Sequence, residues 1–197
     1  MFKSGRGENI KFIELGAGVG LPSLTVSSLQ YICTATDCSL YPHVLENLRY
    51  SLSLNPQIPE SKCKIMSLDW GSSSASSQSI AKMDSFDVIL GADVFYDPLL
   101  FESLLQTISL FFQKNPNCVF VTAYQERSAK RTLTPLLEQY NMKGELVECG
   151  YNLMDLVSEY FVFKQATSVE ELKEAEYSDS SMASVFIFKI TLKSFQD

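Results

Sequence analysis

The chain has 197 residues, with 16 Lys and Arg against 23 Asp and Glu for a net charge of −7, a length that suits one domain. At 46% hydrophobic and 20% charged residues its composition is that of ordinary globular proteins, which excludes disordered, collagen-like and coiled-coil readings. The negative charge and the lack of a Lys/Arg stripe disfavour nucleic acid as a partner, and no apolar run approaches the ~20 residues of a membrane-spanning helix.

Met1 to Asn9 carries Lys3 and Arg6 but no apolar stretch behind them, so it does not read as a secretory signal, and an intracellular chain is the expectation. Cys33, Cys38, Cys63, Cys118 and Cys149 are scattered and form no C-x-x-C pair, and His43 is the only histidine. Reduced, mostly buried thiols and no metal site follow.

Strand-like runs alternate with helical patterns, which predicts βα units and a mainly parallel sheet covered on both faces. Lys11 to Leu15 reads as the first strand and ends at a glycine-rich turn; Leu21 to Leu29 offers a short helix. Tyr31 to Thr36 is a second strand that stops at Asp37. Pro42 opens an amphipathic helix through Val44, Leu45, Leu48 and Leu52 that ends before Pro56. His43, beside that proline, reads as a solvated helix-terminal residue.

Cys63 to Leu68 is a third strand running into Asp69 and Trp70, and the serine-rich tract Ser72 to Ser79 reads as a solvated surface loop. Phe86 to Ala92, the most apolar run, is the central fourth strand and delivers Asp93 at its carboxyl end. A helix from Pro98 with a broad apolar face and a fifth strand at Cys118 to Ala123 come next, followed by a helix over Arg127 to Tyr140. Gly144 to Cys149 and Ser184 to Leu192 close the sheet; between them only Ser168 with Glu171 is legible, as the capping-box start of a short acidic helix.

Glu14-Leu-Gly-Ala-Gly-Val-Gly20 follows a strand and opens a helix, where a nucleotide-type ligand sits in a doubly wound fold. A dinucleotide fingerprint needs G-x-G-x-x-G, yet Leu21 stands at its third glycine, so the spacing is G-x-G-x-G. Glu14 beside the glycines would repel a pyrophosphate but accept from a cationic or neutral group, which favours S-adenosylmethionine over NAD. Asp37 is placed for two ribose hydroxyls, Asp69 for an exocyclic amine and Trp70 for an adenine face. Asp93 to Tyr96, at the carboxyl edge of the central strand, is the chemical end: Asp93 to orient an acceptor amine, Tyr96 to shape its channel. Helix capping is the plainer reading for both Asp37 and Asp93. Tyr124 and Arg127 follow the fifth strand as candidate substrate contacts.

The ordered set Glu14 to Gly20, Asp37, Leu68-Asp69-Trp70, Asp93-Val-Phe-Tyr96 and Tyr124-Gln-Glu-Arg127 resembles the seven-strand methyltransferases of the methyltransferase-like 21 group, also called family 16. Lys114-Asn-Pro, Tyr124 to Ala129 and Asn141-Met-Lys143 narrow the resemblance to one branch of that group. It implies an α/β Rossmann-like seven-strand fold with an antiparallel last strand, and S-adenosyl-L-methionine held by Glu14, Gly16, Gly18, Gly20, Asp37, Asp69, Trp70 and Ala92. It implies catalytic Asp93 and Tyr96, substrate-side Tyr124 and Arg127, and a protein substrate methylated on a lysine, the target in most siblings, or on an arginine. A monomer in the cytoplasm or nucleus, acting on a partner with a basic tail, completes the expectation.

Family members carry a segment ahead of the first strand that ends in a Trp-Pro-Ala-like motif. Here only Met1 to Lys11 precede the strand and Trp70 is the sole tryptophan, so one domain over residues 1–197, lacking that segment, is expected. A methyltransferase fold kept as a non-catalytic partner subunit is the rival reading. A dinucleotide oxidoreductase is disfavoured by Leu21 and by the position of His43.

Overall fold

The computed structural model describes residues 10–125, 133–149, 163–165 and 185–193. Its elements in chain order are β1 (Lys11–Leu15), α1 (Leu21–Ser28), β2 (Ile32–Asp37), α2 (Pro42–Ser53), β3 (Cys63–Ser67), α3 (Ser74–Lys82), β4 (Val88–Ala92), α4 (Pro98–Lys114), β5 (Val119–Gln125), α5 (Thr134–Gln139), β6 (Met142–Cys149), β7 (Phe163–Gln165) and β8 (Val185–Leu192). They build one sheet in the order β3-β2-β1-β4-β5-β8-β6-β7. The first five strands run parallel, and β8 inserts antiparallel between β5 and β6.

The expected α/β sheet with an antiparallel last strand is therefore present, and the three-residue β7 adds an edge beside β6. Strand order runs one way from β1 to β3 and the other way from β1 to β5. The switch point lies between β1 and β4, and open α/β sheets bind ligands outside the carboxyl ends of the strands at such a point.

The main core lies between the sheet and α4. Leu104, Leu105, Ile108, Phe111 and Phe112 of that helix pack with Ile13, Leu15, Ile89 and Phe120 of β1, β4 and β5, all at most 2% exposed. On the opposite face a small cluster of Ala17, Ala35 and Leu48 lies where α2 meets the start of α1. There α1 presents Ser23 and Ser27 to the sheet while Leu21 and Leu29 face solvent, so it docks closely through small polar side chains. Ser27 Oγ donates to Lys62 O at 3.1 Å.

Most strand and helix boundaries expected from the sequence shift by one to three residues, the ordinary effect of fraying ends. The serine tract is a correction: Ser74–Lys82 is a helix, not a solvated loop. Ser73 caps it by accepting from Ser76 N, and Ser76 and Ile80, four residues apart, are its buried stripe. At the other end the Lys114 ammonium from α4 donates to the carbonyls of Ile80 and Ala81 at 2.8 and 3.1 Å, and to that of Met83. Low serine propensity is overridden by one cap, one buried isoleucine and one lysine on terminal carbonyls.

Of the helix expected over Arg127 to Tyr140, Thr134–Gln139 forms α5; residues 126–132 lie outside the described set, as does the Ser168–Glu171 capping box. His43 is exposed beside Tyr41, their rings 6.0 Å apart. Cys33, Cys63 and Cys118 are free and buried, and no metal-binding cluster occurs among the described residues. Among them, too, no helix is long and apolar enough to cross a membrane.

Because Ile80 is 1% exposed within the main core, Ile80→Ala should destabilise the protein by about 3 kcal/mol. Urea unfolding measures this; a loss below about 0.5 kcal/mol, typical of surface positions, would return the segment to a solvated loop.

Candidate functional site

The turn after β1 leaves the sheet at its carboxyl edge in three left-handed steps: Gly16, Gly18 and Gly20 have φ of +64°, +55° and +80°. Backbone bonds tie it down, Ala17 N to Thr36 O at 2.9 Å and Gly20 N to Ala17 O at 2.7 Å. The three glycines are glycine for different reasons. A Cβ on Gly20 would lie 2.1 Å from Leu48 Cδ1, so this residue lets α2 pack against the start of α1. A Cβ on Gly16 would lie 3.1 Å from Trp70 Cζ2 and 3.2 Å from Val94 Cγ1, so the indole and Val94 cover that face. A Cβ on Gly18 would meet nothing within 4 Å. Its left-handed backbone is therefore open to a ligand.

Two carboxylates hold the turn. Asp37, at the end of β2, accepts from Gly18 N at 2.8 Å and from Cys38 N at 2.7 Å. It is not a helix cap, since α2 has Tyr41 in that place. Glu14, 1% exposed, accepts from Ser23 N at 3.0 Å and from Ser23 Oγ at 2.5 Å, both on Oε2. Its Oε1 is buried and accepts from no described residue. Burial pushes the Glu14 carboxyl up to about 7, with Ser23 opposing the shift.

Asp69 is fastened in turn: Ser39 donates its N–H to Oδ1 at 2.8 Å and its hydroxyl to Oδ2 at 2.6 Å. These bonds hold its carboxyl below the usual carboxylate range. Trp70 is half-buried against the main core with an edge over Gly16. Asp37, Asp69, Trp70 and the open face of Gly18 thus share the carboxyl edge of β1, β2 and β3.

At the end of β4, Ala92 and Asp93 are exposed. Asp93 takes φ +55°, a left-handed turn that Asp tolerates better than most residues, and its N–H donates to Ala123 O at 2.8 Å. The turn folds Val94 and Phe95 back into the core at 2% and 1% exposure. Gly91 makes room for this, since a Cβ there would meet Val94 Cγ2 at 2.8 Å and Phe120 Cε2 at 2.9 Å. Capping of α4 falls to Asp97, which accepts from Leu99 N at 3.0 Å, and not to Asp93.

Tyr96 is 51% exposed, and its phenol is pushed up by desolvation first and then by Asp97, Asp37 and Tyr41. It therefore stands at the same edge as Asp37. Tyr124 is placed differently from its expected substrate-side position: it is 8% exposed, with its ring 6.4 Å from Phe95 and 6.2 Å from Phe188. Arg127 lies outside the described residues. Sequence reasoning missed Ser23 and Ser39, the residues that orient Glu14 and Asp69. Serine carries little pattern of its own; Ser23 alone had a signal, its place in the first turn of a helix without a capping side chain.

A family model described as "Lysine methyltransferase" matches residues 2–139. The chain is 38% identical over 133 residues to histone-arginine methyltransferase METTL23 of Mus musculus, covering 66% of this chain and 49% of that protein. It is 39% identical over 100 residues to protein-lysine methyltransferase METTL21E of Mus musculus, covering 48% of this chain and 38% of the other. The chain spans about half the length of the curated relatives it matches.

Among solved structures it is similar to precorrin-6y C5,15-methyltransferase from Geobacter metallireducens, at TM-score 0.56 and 12% identity over 94% of this chain and 80% of that one. A TehB-like SAM-dependent methyltransferase from Corynebacterium glutamicum gives TM-score 0.54 and 16% identity over 94% and 82% of the two chains. At these identities the likeness is one of fold.

The raised Glu14 carboxyl has a consequence for stability. Its folded state favours the protonated form, so that contribution is full below the ordinary 4.5 and is lost as pH rises toward about 7. Glu14→Gln, neutral at all pH, should gain on the unaltered protein between pH 5 and 8 by on the order of 3 kcal/mol. Urea unfolding of both proteins at the two pH values tests this, and a constant gap would contradict a buried, titrating Glu14.

Proposed function

Because the chain belongs to the lysine methyltransferase family, we propose that it transfers a methyl group from S-adenosylmethionine to a lysine or arginine side-chain nitrogen of a protein. The observation that carries this reading is the gathering at one sheet edge of an open left-handed glycine, two serine- or backbone-anchored aspartates, a half-buried indole and an exposed aspartate on the central strand. The residues fit the cofactor chemically. The open face of Gly18 admits close backbone approach, Asp37 and Asp69 retain unused lone pairs for hydroxyl and amine donors, and Trp70 offers an aromatic surface.

Gly16, Gly18, Asp37, Asp69 and Trp70 would hold S-adenosylmethionine, which when bound supplies an electrophilic methyl group on a sulfonium. The rest is the work of the chain. Asp93, at the edge of the switch-point strand, accepts a hydrogen bond from the acceptor nitrogen and orients its lone pair. Such in-line displacement demands alignment above all, and the left-handed turn braced by the buried Val94 and Phe95 fixes the Asp93 backbone. Tyr96 lines the approach beside it.

The relatives named for histone-arginine and protein-lysine methylation support a protein substrate. A net charge of −7, with Asp37, Asp69, Asp93 and Asp97 at the site edge, supports a basic segment on that partner and disfavours nucleic acid. We take the active form as a monomer in the cytoplasm or nucleus.

Asp93→Ala should lower methyl transfer into protein at least a hundredfold while S-adenosylhomocysteine binds within about threefold of the unaltered protein. Radiolabelled transfer into cell extract and calorimetric titration measure the two quantities. Retained transfer, or equal loss of both, would overturn the role given to Asp93.

A further inference from the structure

The N-terminus of α1 has no capping side chain of its own: its cap residue is Gly20, and Pro22 has no N–H to offer. Ser23 in the first turn sends both its N–H and its hydroxyl to Glu14 Oε2, at 3.0 and 2.5 Å. A carboxylate of β1 thus caps α1, the polarity a helix N-terminus favours. The Ser23 hydroxyl is itself fixed, because the Cys33 thiol of β2 donates to Ser23 Oγ at 3.3 Å. A hydroxyl has one proton. With its oxygen accepting from Cys33, that proton is committed to Glu14.

Ser23 and Glu14 are 0% and 1% exposed, and Cys33 is 0% exposed, so all three are shielded from bulk solvent. Cys33 on β2, Ser23 on α1 and Glu14 on β1 therefore join the three elements that bracket residues 16–20.

We propose that Ser23, oriented by Cys33, is a positioning residue that sets cofactor affinity by holding Glu14, and with it the glycine turn, in its receiving conformation. This rests on the cofactor reading given above. Ser23 touches no reacting atom, and its effect falls on binding and not on the transfer step. The titratable groups facing Glu14 are Cys33, Cys63 of β3 and Asp37 at the end of β2. Burial pushes both thiols up, Cys33 to about 12. Near neutral pH neither thiol titrates with Glu14.

Calorimetric titration with S-adenosylhomocysteine between pH 6 and 9 tests the proposal on the unaltered protein, Ser23→Ala and Cys33→Ala, with kcat measured at saturating cofactor. Ser23→Ala removes a donor that favours the Glu14 carboxylate, so its Kd should rise about tenfold at pH 7.5. The pH at which its affinity changes should also move upward, with kcat unchanged within twofold. Cys33→Ala, a small change of volume that leaves the hydroxyl unoriented, should move Kd the same way by about threefold. Unaltered affinity and pH profile in both variants would overturn the role of Ser23, as would a loss confined to kcat. Absence of binding by the unaltered protein would overturn the cofactor reading itself, and this inference with it.

Discussion

A turn with three left-handed residues in five positions has one backbone bond of its own, Gly20 N to Ala17 O, and in this protein two carboxylates anchor it further. Asp37 takes the Gly18 N–H from the β2 side, and Glu14 takes the first turn of α1 from the β1 side through Ser23. Asp37 acts on an N–H within the turn, and Glu14 on one that the backbone leaves unpaired at the helix start. Their arrangement depends on β1 lying between β2 and β4 in a parallel sheet, since only then do both strand ends open on the same crevice. Burial of Glu14 is a cost to folding that Ser23 partly offsets.

The second fixed point is the turn after β4. Gly91 is small enough for Val94 to fold back, Val94 then covers Gly16, and Phe95 locks into an aromatic group with Phe101, Phe120 and Tyr124. The strained step falls on Asp93 and leaves its carboxylate at the solvent-facing edge. The glycine turn and the Asp93 turn, proposed here as cofactor cradle and acceptor site, are thus tied to each other through packing by Val94.

Much of this was legible in the sequence because it rests on backbone needs with sharp signatures. Glycines at alternate positions after an apolar strand announce a left-handed turn, and acidic residues closing successive strand runs announce a ligand edge. The same reading failed where tertiary contacts decide the outcome. Serine-rich α3 is a helix because Ile80 reaches the core and Lys114 closes its end from a distant element, and no local propensity carries that information. Tyr124 ends the β5 run like a site residue, yet its position in the alternation turns it inward. Ser23 and Ser39 carried little signal for a related reason: each matters through a carboxylate nine or thirty residues away.

The central claim is that the edge built by Gly18, Asp37, Asp69 and Trp70 receives S-adenosylmethionine. The most direct measurement is the amide spectrum of the labelled protein titrated separately with S-adenosylhomocysteine and with NAD. The account predicts saturable shifts of the Gly16, Gly18 and Cys38 amides and of the Trp70 indole with the first ligand and none with the second. Undisturbed resonances at millimolar S-adenosylhomocysteine, or equal shifts with NAD, would contradict it.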